Sequence, residues 1–277
     1  MSATMTAEWL KLRKRPAAWV LPAVLVVTVA LFGYVFAYLF ISGAGGDQGE
    51  FDAAALLPTL LPANLVTQAI GLCTNPGGPI ALILGALAVG SEYSWGTVKT
   101  MAMQRPRRIT LMGGKLVVLA GLTLLYALLV LATAAAASVV VASLEGADTA
   151  FPSIADLANG LASAWLVLAV WAGFGAVLAV LFRGTGFAIG VGLVYSLVVE
   201  SLITFLPFSG PAMRGVRQSL LSTNASALST QFGELAEGFG PTALELPSAG
   251  QAAIVLGVYV LVFAAAALAI FHRRQLT

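Results

Sequence analysis

Charge is what this chain has least of. Only 9% of its 277 residues are Asp, Glu, Lys or Arg, against 59% hydrophobic, where an average soluble domain carries about 25% charged residues. With a mean hydropathy of +0.95, a soluble globular domain is excluded and an integral membrane protein is implied. Cysteine and histidine are nearly missing too. Cys73 is the one cysteine, so no internal disulfide forms and no cysteine metal site is built. His272 is the one histidine, which rules out the paired-histidine zinc motif; beside Arg273 and Arg274 it reads as an interfacial residue. No serine lies in a G-x-S-x-G elbow. Gly113-Gly114-Lys115-Leu116 imitates the end of a phosphate loop, but Ile109 stands where the first glycine is required and Leu116 where Ser or Thr is required. The chain therefore has no nucleotide site of that kind, no catalytic set and no metal site. It is not expected to be an enzyme by itself.

Apolar runs make up the rest. At about 20 residues per crossing, the sequence predicts an all-α membrane domain of six transmembrane helices. The expected spans are 17–41, 60–90, 114–142, 157–182, 187–206 and 251–271. The run of 17–41 is well beyond the 7–15 residues of a signal-peptide core, so it is read as an uncleaved span. Residues 1–16 place Met5, Trp9 and Leu12 at helical spacing and Lys11, Lys14 and Arg15 largely elsewhere. That suits an amphipathic helix on the membrane surface or, equally, a basic flank that sets topology. Between spans five and six, 207–250 is the longest non-spanning segment and is expected to hold short helices at the outer interface. Gly186 and Gly190 form a small-xxx-small pair that either permits close helix packing or arises by chance among 29 glycines.

Cation placement gives the orientation. With both termini inside, 12 of the 14 Lys and Arg residues are cytoplasmic and only Arg214 and Arg217 fall outside, while nine of the acids lie outside. The segment 91–113 is then cytosolic. It contains Ser91, expected to cap a short helix with Glu92 in its first turn, and Pro106, expected to stop it. A self-contained helix between two spans reads as a contact surface for a cytosolic partner.

Two spans carry unusual polar features. Asn75-Pro76-Gly77-Gly78-Pro79 breaks the second span, about 21 Å of helix from Gly90 and so in the outer half. Non-helical backbone at that depth needs protein or water around it. Gln68, Thr74 and Asn75 point the same way, to a cavity or packed interface. Glu200 is the one acid inside a span, with Tyr195, Ser196, Ser201 and Thr204 nearby. An intramembrane carboxylate marks a transport path or reaches water at the interface as an inert group.

The segment Gly90-Ser91-Glu92-Tyr93-Ser94-Trp95-Gly96-Thr97, followed by Arg105-Pro106-Arg107-Arg108 and Gly114-Lys115-Leu116, resembles the loop between spans two and three of ABC-2-type transporter permeases. The start, Glu8-Trp9-Leu10-Lys11-Leu12-Arg13-Lys14-Arg15-Pro16, is similar to actinobacterial members, and the six-span layout matches along the whole chain. The resemblance implies an export permease in a bacterial plasma membrane. Its partners would be a second permease subunit, membrane lipid and a cytosolic ATP-binding subunit, which would hold the ATP and Mg cofactors, none being bound by this chain; nucleic acid is not among the expected partners. The cytosolic helix would be the coupling helix, with Glu92, Trp95, Gly96, Thr97, Lys99 and Thr100 at the ATPase. Spans two and five would face the translocation path, which would place Gln68, Asn75, Pro76, Tyr195, Glu200 and Thr204 along it. The cargo would be an amphipathic drug, antibiotic or lipid-like molecule. A proton-coupled secondary efflux transporter using Glu200 is the alternative.

Overall fold

A computed structural model describes residues 16–43, 53–94, 108–206, 210–233 and 246–273. Helix accounts for 88% of the structure, with no strands among the described residues. Among the described residues, five helices are long and apolar enough to cross a membrane: α1 (Ala17–Ile41), α5 (Arg108–Glu145), α6 (Ile154–Phe182), α7 (Thr185–Thr204) and α10 (Ala249–Arg273). The remaining elements are the short α2 (Ala53–Leu60), α3 (Leu65–Thr74), α4 (Gly77–Ser94), α8 (Pro211–Ser219) and α9 (Leu221–Ser229). A 3-10 turn at Pro62–Asn64 leads into α3, and this half is bent by 49° against the α4 half; counted as one span, the pair makes a sixth.

The break follows from the local sequence. A cis peptide bond joins Asn75 to Pro76, and α4 restarts on Gly77. A side-chain carbon on Gly77 would meet the Leu72 carbonyl oxygen at 2.8 Å, so only glycine lets the two halves approach so closely. In place of an uninterrupted run over 60–90, the chain makes two rods that lean on different neighbours: α3 on α6, α9 and α5, and α4 chiefly on α6 and α7.

The core is centred on α4 and α6. Gly85 of α4 packs against the backbone carbonyl of Ala172, and Gly175 of α6 packs against the carbonyl of Leu82 and the amide of Ala86. Each helix thus contributes one glycine that admits the other's backbone, as membrane helices without a hydrophobic driving force require. Leu82, Ala86, Leu168, Ala172 and Ala176 fill the seam, all buried. By contrast, Gly186 and Gly190 of α7 have open space where a side chain would go. Large apolar side chains of α1, α7 and α10, such as Phe32, Leu202 and Leu261, are exposed on the outside of the bundle.

Helix ends differ from the expected boundaries where capping decides them. Ser153 accepts from the Asp156 amide and starts α6 three residues before 157. Arg108 begins α5, so Gly113 to Leu116 lie on a continuous helix rather than a phosphate-binding loop, and Lys115 is buried in its flank. Ser91 does not start a helix as expected. It is buried within the last turns of α4, where its hydroxyl donates to the Leu87 carbonyl at 2.8 Å.

Candidate functional site: the polar junctions of the bundle

The two ends of the bundle are distinguished by what meets there. At one end, α4 ends at Ser94 and α7 begins at Thr185, after the turn in which Arg183 takes a left-handed φ of 54°. Gly90 lies against Thr185: a side-chain carbon on it would be 2.7 Å from Thr185 Cγ2 and 3.1 Å from its Cα. Deeper along the same pair, Gly192 of α7 takes the Leu82 side chain of α4. α4 is thus in contact with α7 both near its end and deeper in the bundle.

At the opposite end, the hairpin α8–α9 folds over α7. Glu200 is 2% exposed, although Leu197, Val198, Val199, Ser201 and Leu202 around it are exposed. Its carboxylate turns inward and accepts two backbone N–H groups, from Leu221 to Oε1 at 3.0 Å and from Ser222 to Oε2 at 3.1 Å. The Tyr195 and Ser222 hydroxyls also adjoin it. These are the opening amides of α9, whose N-cap position is occupied by Leu220, a residue with no capping side chain. A carboxylate there satisfies orphan donors and matches the positive end of the helix dipole. Thr204 donates to the Glu200 backbone carbonyl at 2.9 Å and so bonds within its own helix.

Two spans each contain a π-helical turn, Leu31–Val35 in α1 and Tyr195–Val199 in α7. Such turns release a carbonyl from the regular ladder. In α1 the Gly33 carbonyl is taken up by Gln68, whose Nε2 donates to it at 3.0 Å across to α3. Tyr195, in the other turn, packs its ring against Phe174 at 5.1 Å and Trp171 at 6.5 Å, while Phe174 meets Phe263 at 5.5 Å and Phe263 meets Tyr259 at 5.6 Å. This aromatic seam joins α6, α7 and α10. Trp171 also closes over Gly78, where an added carbon would lie 2.7 Å from its indole nitrogen.

Of the residues expected along a path, the structure brings Tyr195, Glu200 and Thr204 together on α7. Gln68 sits in the α1–α3 junction, and Asn75 and Pro76 are at the break, Asn75 being exposed. Glu92 belongs to the last turn of α4, with its side chain outside the described residues; Trp95, Gly96, Thr97, Lys99 and Thr100 lie outside them altogether. Among the described residues no group of His, Cys, Asp or Glu is placed to hold a metal ion.

Arg217 and Trp171 were not singled out from sequence. Arg217 Nε donates to the Ile203 carbonyl at 3.3 Å and its guanidinium also reaches the Leu206 carbonyl. The signal available was its place on α8, whose Arg214 and Arg217 recur at helical spacing beside Met213 and Val216.

The family model described as ABC-2 family transporter protein matches residues 4–199, more than two thirds of the chain. The chain belongs to this family. The match and the several membrane-crossing helices identify a multi-pass membrane protein and a transport component. The ABC-2 match ends one residue before Glu200, so the polar junction with α9 lies beyond the matched region. No curated protein matches the chain.

Proposed function

We propose that this ABC-2 protein is the permease subunit of an ATP-driven exporter. It carries an amphipathic small molecule out of the cell with ATP hydrolysed on a separate subunit. The observation that carries the reading is the family match together with a chain that has no phosphate loop of its own: the one candidate stretch, Gly113 to Leu116, is plain helix. The energy then enters through a partner. The basic segment 91–113 is the proposed docking site, with Glu92, Trp95, Gly96, Thr97, Lys99 and Thr100 at the contact, six spans, and both termini in the cytoplasm in keeping with the distribution of cations. ATP and Mg are placed on the partner, and a second permease subunit completes the transporter. The exposed apolar faces of α1, α7 and α10 suit lipid or that second subunit.

α4 fits the part of transmitter. It connects directly to the docking segment, and its glycine contacts with α6 and α7 pass displacement sideways into the bundle. Glu200 is engaged by backbone amides rather than facing an aqueous route, so no observation favours the proton-coupled alternative.

The test is co-expression with an ATP-binding subunit that carries a phosphate-loop motif, followed by affinity purification through this chain. Wild type retains the ATPase, whereas Glu92→Arg and Gly96→Trp lose it while still accumulating in the membrane. Full retention by both variants, with unimpaired ATP-dependent transport, would remove the coupling assignment.

A further inference from the structure

We propose that Glu200 and Arg217 are a pair of positioning residues that bolt the α8–α9 hairpin to the end of α7, so that hairpin and helix move as one body. The two contacts are reciprocal. α7 supplies the anion, and Glu200 fills the opening amides of α9 at 3.0 and 3.1 Å. The hairpin supplies the cation, and Arg217 takes the Ile203 carbonyl at the end of α7 and the Leu206 carbonyl just past it. Each charge has the sign that the helix end facing it prefers: carboxylate at the N-terminus, guanidinium at the C-terminus. Each also satisfies backbone groups that the helix cannot pair internally. One such contact would be a hinge; two, made in opposite directions at separate points, oppose both translation and rotation.

The hairpin is stiff enough to transmit what the bolt delivers. Asn224, fully buried, donates from Nδ2 to the Gln218 and Leu220 carbonyls at 2.8 Å each and locks the corner between α8 and α9. The Tyr259 hydroxyl of α10 donates to the Ser219 carbonyl at 3.0 Å. Leu221, Ala225 and Leu228 of α9 are buried, and α9 packs on α10 and on α3. α3 is the half of the broken span before Pro76, and α4 is the half that touches α7 at Gly90 and Thr185. The two halves are thus connected along the chain through Asn75 and Pro76, through α6, on which both pack, and by a longer route through α7, the bolt and α9. Through this route the bolt ties α7 to the two halves that meet at the 49° bend. Its use in transport rests on the permease reading; its existence does not.

The experiment uses the purified full chain in lipid nanodiscs, with Cys73→Ala removing the native thiol and spin labels on cysteines introduced at the exposed positions Val194 and Val216, one on α7 and one on α8. A second pair at Ala63 and Thr230 reports the hairpin against the segment leading into α3. Pulsed electron spin resonance should give a single narrow distance for both pairs. Glu200→Ala and Arg217→Ala should each lose that narrow peak. Glu200→Gln, which keeps the volume and one acceptor oxygen, should lose part of it and serves if the alanine variant does not fold. Gly85→Ala, which strains the distant α4–α6 seam, should lower stability and leave the Val194–Val216 peak intact. A narrow peak that survives in both Glu200→Gln and Arg217→Ala overturns the bolt. So does equal broadening in Gly85→Ala, because the effect would then be general loosening. Failure of the permease reading would show in the ATPase co-purification and not in these distances.

Discussion

Replacing Gly85 by alanine tests whether the α4–α6 seam is as close as its glycines imply. The added methyl would collide with the Ala172 carbonyl oxygen, 2.7 Å from the carbonyl carbon and 2.9 Å from Cα. The obstacle is backbone on a buried helix, which no rotamer change relieves. Relative to ordinary contact with that oxygen the helices must separate by about 1.5 Å, and overpacking of this kind costs roughly 1–3 kcal/mol. Opposing this, alanine is the better helix former by roughly 0.5–1 kcal/mol. That gain is isolated by Gly121→Ala on α5, where nothing lies within 4 Å of the new carbon. Thermal unfolding of the purified chain in one detergent, followed by circular dichroism, compares the two. Gly121→Ala is expected to leave stability unchanged or raise it, and Gly85→Ala to lower it. Gly175→Ala, facing the Leu82 carbonyl and the Ala86 amide from the other side, should resemble Gly85→Ala. Equal midpoints for Gly85→Ala and Gly121→Ala would refute the backbone-contact reasoning.

The other junctions carry smaller expectations. Gln68→Leu leaves the Gly33 carbonyl of the α1 π turn without its partner; interhelical bonds in membranes average about 0.6 kcal/mol and reach about 1.7. Faster amide exchange confined to residues 31–35 is the expected sign, and unchanged exchange would remove the carbonyl-capture account. Trp165→Phe deletes the 3.0 Å bond from the indole N–H to the Ala120 carbonyl between α6 and α5, and Tyr38→Phe deletes the 2.8 Å bond that Tyr38 donates to Glu145 Oε1. Both bonds are exposed, so each loss should lower the unfolding midpoint only slightly, by the equivalent of about 1 kcal/mol or less.

The sequence carried the apolar runs, the break and the position of the one acid within a span, since each is written in consecutive residues. Asn75-Pro76-Gly77-Gly78 interrupts a helix whatever surrounds it. Glu200 stood out because a carboxylate in an apolar run is rare, yet its purpose lay 21 residues downstream, in a helix whose N-cap is a leucine. Ser219 stands just before that leucine, so nothing local in the sequence says that the cap comes from α7. Spacing did not decide between the two readings of the glycine pair either. Gly186 and Gly190 have the packing interval and face open space, while the pair that packs, Gly85 and Gly175, is split between two helices. Ser91 has the chemistry of a cap, but α4 runs on through it, with Gly90 seated against Thr185 of α7. The candidate contact residues after Ser94 lie outside the described chain.

The split second span also bears on how the protein is made. α3, at 10 residues, extends about 15 Å, too short to cross a bilayer alone, so it must enter the membrane in company with α4. The seats for α4 are Ala172 and Thr185, which leave the ribosome some 80 to 100 residues after it. In the interval its glycine face has no helix to receive it. Insertion of this span and its final packing are therefore separate events in time, and a chaperone or translocon that shelters α4 until α6 arrives would act in the gap between them.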